Sequence, residues 1–292
     1  MSKTIVAELA AQLECNVGEG PFWNAAERKL YFVDIVNKQV KIYSPSTQSV
    51  ETVQFEQEIS AVFLDQKSEL IVAARDGIFT ASRDGVLETL LAPIKIEDPS
   101  IRTNDAKCDS HGRMWVGTMA FDFTEGAAAL FTFDSKVLKE VVPNLTVSNG
   151  IGWSLDQKRM YFIDSVTKRV DIFDVDLELG ELRNRRVFVS LVDGDAFPDG
   201  LTTDEDGGVW VALFGGGEVR RFDASGELTH IVELPVRQVT SCCFGGEDMS
   251  ELFITTAHNG MDSDALSREP LAGSLFRART SFKGSKSNRY GQ

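Results

Sequence analysis

The sequence predicts an all-β fold, a six-bladed β-propeller with four-stranded antiparallel blades around a central channel. Three observations predict it. A short strand signal recurs six times, opened each time by a polar residue in one register: Glu19, Ser60, Asn104, Asn149, Asp199 and Thr240. The centre of a hydrophobic run (LYFV, LIVA, MWVG, MYFI, VWVA, LFIT) follows each opener at 11 to 13 residues. The openers lie 41, 44, 45, 50 and 41 residues apart. A period of about 40–50 residues with three or four strands per unit marks a propeller. The strands of an ordinary sandwich have no reason to share a register.

The units are read in order. EGPFWNAAERKLYFVD from Glu19 holds two apolar runs joined by a polar turn, which is an antiparallel hairpin, and VKIYS from Val40 adds a third strand. SAVFLDQKSELIVA from Ser60 repeats the hairpin, with GIFTAS from Gly77 third and LETLL from Leu87 outermost. The third and fourth units are NDAKCDSHGRMWVG from Asn104 with ALFTFD, and NGIGWSLDQKRMYFID from Asn149 with VDIFDVD. DGLTTDEDGGVWVA from Asp199 continues into VRRFDAS and LTHIVEL. TSCCFGGEDMSELFIT from Thr240, followed by SLFRART, completes the set. No Pro/Ser-rich linker interrupts them, so residues 1–292 read as a single domain. The charged tail SFKGSKSNRYGQ is expected to be exposed and mobile.

In a propeller the innermost strands all run one way along the channel, so the openers converge on one rim. Glu19, Asn149 and Asp199 then bring two carboxylates and an amide oxygen together. That set suits one divalent metal ion (Ca, Mg, Mn or Zn), with water filling the remaining positions. Each opener alone is explicable as a turn residue. Two carboxylates packed together without a cation, however, repel strongly. Gly20, Gly150 and Gly200 follow these three openers, as backbone packed tightly at a channel requires. Arg102 precedes Asn104 by two residues, and on an extended segment that puts both side chains on one side. Arg102 is either a salt-bridge partner of the acidic pocket or a donor to substrate oxygens.

Composition excludes several classes. A net charge of −14 argues against nucleic acid as a partner. No run approaches the roughly 18 apolar residues of a membrane span, and the N-terminus lacks a signal-peptide pattern. Cys15, Cys108, Cys242 and Cys243 form no C-x-x-C pair, and the adjacent two point to opposite faces of a strand. Buried, reduced thiols are expected, and with them a cytoplasmic location. There is no G-x-S-x-G elbow, and His111, His230 and His258 form no zinc-spaced pair.

VGEGPFW, RTNDAKCDSHGRMWVGTM, SNGIGWS, MYFIDS and FPDGLTTDEDGGVWVA together give the chain its resemblance to a known family. It resembles the senescence marker protein/gluconolactonase/luciferin-regenerating enzyme family along nearly its whole length. The resemblance implies a propeller that binds one divalent metal at the channel mouth and hydrolyses sugar lactones. It implies that Glu19, Asn149 and Asp199 hold the metal, that Arg102 and Asn104 contact the sugar lactone, and that Asp199 is the catalytic base. A non-catalytic calcium-binding regulator and a metal-dependent esterase or phosphotriesterase are the alternatives. One departure stands out. Some relatives carry a sugar-contacting Glu shortly after the GTM motif, where this chain has Phe121 and, one residue off, Asp122. A one-residue shift turns a strand side chain to the other face. Ser60 and Thr240, the two hydroxyl openers, are expected to leave their arc of the rim free to face sugar or solvent.

Overall fold

The computed structural model describes residues 2–94, 98 and 100–291. Six antiparallel blades form a ring, each innermost strand packing against those of the two neighbouring blades. The innermost strands are Gly18–Asn24, Ile59–Leu64, Ile101–Cys108, Ser148–Trp153, Phe197–Thr203 and Val239–Gly245. Every opener lies at or near the start of one of them, so the predicted six-bladed architecture and its register are both found.

The hydrophobic runs form the second strands, and they read as continuous because blades stack face to face. Leu30 and Phe32 pack toward blade 6 while Tyr31 and Val33 pack toward blade 2. Trp115 fills the space between blades 3 and 4, and Trp210 that between blades 5 and 6. Strands buried on both faces lose the alternation of a half-exposed sheet. Cys242 and Cys243 take opposite sides of blade 6, and all four cysteines are buried and free.

A turn-closing side chain often stands five residues after the opener. Asp65 accepts from Lys67 N and Glu69 N, both at 2.8 Å. Asp109 and Asp204 accept turn N–H groups, and their other oxygens take the indole N–H of Trp115 at 2.9 Å and Trp210 at 2.8 Å. Asn24 accepts from Ala26 N at 3.2 Å. These Asx turns fix the hairpin at the channel end opposite the openers.

The two chain ends differ from expectation. SLFRART is the third strand of blade 6, and the fourth comes from the N-terminus: Glu8–Ala11 pairs antiparallel with Leu275–Arg279. Just before it, Lys3–Val6 adds a parallel fifth strand to blade 5 beyond Leu228–Glu233. Ring closure is therefore a pairing between the two ends of the sequence. The tail is not an exposed end. Residues 281–291 run across the far face of the ring, and Gln292 lies outside the described residues. Phe282 packs 3.8 Å from the Arg221 guanidinium, and Gly284 N donates to Met249 O at 3.0 Å. Asn288 donates to Cys108 O at 3.1 Å. Arg289 donates to Asp65 O, Ser68 Oγ and Asn24 Oδ1. Tyr290 is buried and stacks on Phe133. Its aromatic residues and its arginine give the charged-looking segment contacts that a solvated tail would lack. Among the described residues no helix is long and apolar enough to cross a membrane.

Candidate metal centre

Each innermost strand has a pairing irregularity beside its opener. The shifts fall between Glu19 and Phe22, Ile59 and Ala61, Thr103 and Ala106, Ser148 and Ile151, Pro198 and Leu201, and Val239 and Ser241. An extra residue at such a point bends the strand and re-aims a side chain. Glycine makes the close approach possible. A Cβ on Gly150 would stand 2.7 Å from the Asp199 carbonyl oxygen, and one on Gly200 would collide with Ser241 Oγ. Gly20 has a φ of +57°, in the left-handed region.

The three acidic and amide openers of blades 1, 4 and 5 come together, all buried. Asn149 and Glu19 lie close enough to Asp199 to lower its pKa against the effect of burial. Asn149 donates to Ser165 Oγ at 3.0 Å, which fixes its amide plane. Glu19 Oε2 accepts from its neighbour Gly20 N at 2.6 Å. Burial, then the charges of Asp199 and Asp105, pushes the Glu19 carboxyl well above the usual carboxylate range. Burial, then Asp105, does the same to Asp199, against the opposing pull of Asn149, Arg102 and Glu19. Two buried, closely placed carboxyl groups hold together by sharing a proton or by sharing a cation. The donor set, two carboxylates and one amide oxygen, is of the hard-oxygen kind that a divalent ion takes. Among the described residues no group of three or more His, Cys, Asp or Glu side chains is placed to hold a metal ion.

Arg102 and Asn104 occupy the adjoining blade. Arg102 is buried, and its NH1 donates to Thr103 O at 2.7 Å and to Asn104 Oδ1 at 2.9 Å. Burial lowers its pKa, while Glu58, Glu19 and Asp199 hold it charged. Asn104 Nδ2 donates to Ser148 O at 2.9 Å, tying blade 3 to blade 4. Both readings of Arg102 therefore have a basis in the geometry: it neutralises the acidic pocket and it stands beside it.

One residue escaped the periodicity. At the irregularity between Thr103 and Ala106, Asp105 lines the channel cavity. Burial raises Asp105 to about 6, against the pull of Lys107 and the Ala106 N–H. Lys107, next along the channel, donates to Leu201 O at 2.8 Å. The signal was the polar pair in NDAK, which a strict alternation assigns to opposite faces. Beyond Lys107 the channel is a cavity of about 100 Å³ whose far wall includes tail residues 285–288.

Ser60 and Thr240 correct an expectation. Ser60 Oγ donates to Thr103 Oγ1 at 2.8 Å, and Thr240 Oγ1 pairs with Thr255 Oγ1 at 2.9 Å and with Gly18 O. Both are buried fasteners between neighbouring strands and are not free to face a ligand. Asp122 points away: its Oδ1 accepts from Thr124 N at 3.0 Å and Thr124 Oγ1 at 2.8 Å, closing an exposed turn. Phe121 takes the place beside the site, its ring 5.7 Å from the Arg102 guanidinium. The histidines lie elsewhere. His111 is near Glu178, His230 packs on Phe282, and His258 contacts Glu14 O.

The geometry coincides with relatedness. A family model described as SMP-30/Gluconolactonase/LRE-like region matches residues 17–258. The chain belongs to this family. It is 36 % identical over 280 residues to regucalcin of Danio rerio, covering 94 % of each chain, and 35 % identical over 281 residues to regucalcin of Homo sapiens, again covering 94 % of each. Among solved structures it is similar to a calcium-binding protein, regucalcin, from Agrobacterium tumefaciens (TM-score 0.94, 25 % identity, 99 % of both chains). It is also similar to luciferin-regenerating enzyme (TM-score 0.91, 30 % identity, 99 % and 100 % of the two chains). A gluconolactonase from Xanthomonas campestris shares the fold at 21 % identity, with a TM-score of 0.71 over 93 % and 88 % of the two chains.

Proposed function

We propose that this member of the SMP-30/gluconolactonase family is a metal-dependent lactone hydrolase of the sugar-lactone class, opening aldonolactones to aldonic acids. The observation that carries the reading is that Glu19 and Asp199 are both buried and electrostatically linked beside Asn149. Family membership adds the chemistry, since the family is named for its gluconolactonases. Glu19, Asn149 and Asp199 would hold the cation. When bound, the ion would act as a Lewis acid on the lactone carbonyl.

The remaining work falls to the chain's own side chains. Asp199 takes a proton from the attacking water as the water oxygen bonds to the carbonyl carbon. The ring C–O bond then breaks, and that proton goes to the departing alkoxide, giving the hydroxy acid. Arg102, pinned by Thr103 O and Asn104, orients substrate oxygens. A cytoplasmic role in sugar catabolism goes with this reading and is supported by the four free, buried thiols.

The test is hydrolysis of a lactone panel and of a phosphotriester by metal-stripped protein reloaded with Ca, Mg, Mn or Zn. Metal-dependent lactone turnover that exceeds phosphotriester turnover is the expected result. Phosphotriester turnover above lactone turnover would replace the lactonase reading with the phosphotriesterase one. A second reading, calcium binding without catalysis, is favoured by the likeness to a calcium-binding regucalcin. It predicts stoichiometric metal with no hydrolysis above background.

A further inference from the structure

Two charged side chains lie in the channel outside the ligand set. Asp105 and Lys107 are two residues apart on innermost strand Ile101–Cys108, and both line the cavity beneath the openers. Gly20, the residue after Glu19, lines the same cavity, as does Thr202 of the strand that carries Asp199. Lys107 Nζ reaches across the bore from blade 3 to blade 5 and donates to Leu201 O at 2.8 Å, two residues beyond Asp199. Asp105 is buried, and its Oδ1 accepts from Ala106 N at 2.8 Å.

Among the described residues Glu19, Asp105 and Asp199 are not placed to hold one ion as a group, so Asp105 acts on the site from outside it. Its charge is nonetheless felt there. After burial, Asp105 is the foremost group raising Asp199, and it raises Glu19 next after burial and Asp199. Lys107 pulls the other way, opposing the rise that burial gives Asp105. When ionised, Glu19, Asp105 and Asp199 outnumber the cations Arg102 and Lys107 by a single negative charge. A backbone N–H such as that of Ala106 is satisfied as well by an amide oxygen as by a carboxylate. What only the carboxylate supplies is charge, and charge acts through space on an ion it does not touch.

Resting on the metal-centre reading, we infer that Asp105 and Lys107 are an opposed pair of charges beneath the metal centre that sets how tightly it holds its cation. Asp105 strengthens the hold from the channel side and Lys107 weakens it, neither of them a ligand. Removing one charge moves the affinity down, and removing the other moves it up.

The test is calorimetric titration of calcium into metal-stripped wild type, Asp105→Asn, Lys107→Met and the double variant, with melting curves to check the fold. Asp105→Asn keeps an oxygen for Ala106 N and removes only the charge. It should weaken calcium binding about tenfold, the scale on which a change just outside the ligands alters a metal site. Lys107→Met should tighten binding by at least about threefold, and the double variant should return to within about threefold of wild type. Loss of the bond to Leu201 O loosens a site rather than tightening it, so weaker binding in Lys107→Met overturns the pair. Unchanged binding in Asp105→Asn also overturns it. If Lys107→Met fails to fold, terbium, a trivalent ion of calcium's size, takes its place in the test. Coulomb energy scales with the ion's charge, so the Asp105→Asn loss should grow from about tenfold for calcium to about thirtyfold for terbium. An equal loss for the two ions overturns the pair. No binding in wild type overturns the metal centre and the pair together, whereas equal binding in every variant overturns the pair alone.

Discussion

The two ends of the channel use the same residue types for opposite ends. At the mouth, Glu19, Asn149 and Asp199 come together, and burial drives both carboxyls above their usual range, with Asp199 and Asp105 adding to Glu19 and Asp105 to Asp199. At the far end, Asn24, Asp65, Asp109 and Asp204 each close a turn with their own backbone neighbours, and Asp204 is further paired with Arg221 at 2.6 Å. Tail residues 281–291 then cover that face. The far-end side chains accept from turn N–H groups, whereas the two mouth carboxyls are pushed up by burial. The mouth stores an electrostatic demand that a cation and substrate can meet, and the far end holds the blades in register so that the demand stays focused.

The largest expected effect tests the mouth. Asp199→Asn, assayed at saturating metal, should lower kcat by about 10²–10⁴-fold, the range of a lost general base. Retention of activity across the pH profile would leave Asp199 only a positioning role. At the far end, Asp204→Ala removes one partner of a buried ion pair and should cost about 3–5 kcal/mol in denaturant unfolding. The folded fraction should bind metal with unchanged affinity, and a matching loss of affinity would erase the distinction between the ends.

pH separates the ends further. Raised carboxyls contribute stability that is fully present below their unfolded pKa of about 4 and is lost as pH rises through the native values. Metal-free protein should therefore melt lower as pH climbs above about 4, while metal-loaded protein resists this. Melting curves with and without calcium should diverge with rising pH, and parallel curves would argue against Glu19 and Asp199 as ligands. The smallest effect belongs to Ser60→Ala. Loss of one buried hydrogen bond should cost about 1 kcal/mol and leave KM unchanged, and a raised KM would return Ser60 to the substrate side.

The openers were legible because a propeller repeats its register, and a repeat needs only local sequence to be seen. Pairing of Glu8–Ala11 with Leu275–Arg279 was not legible, since it joins segments at opposite ends of the chain and neither marks its partner. Asp105 was hidden because it is not an opener and sits at a register irregularity, where strict alternation does not say which way a side chain faces. Ser60 and Thr240 share the opener position, but a hydroxyl serves a neighbouring strand as well as it serves a ligand, and only the packing decides. The tail's charge pointed to solvent, whereas Phe282, Arg289 and Tyr290 decided where it lies.

Calorimetric titration of calcium into metal-stripped wild type and Glu19→Gln tests the central claim most directly. One strongly bound ion per chain in wild type, with affinity reduced at least a hundredfold in Glu19→Gln, is the predicted result. No binding in wild type, or equal affinity in the two proteins, would contradict a metal centre built from Glu19, Asn149 and Asp199.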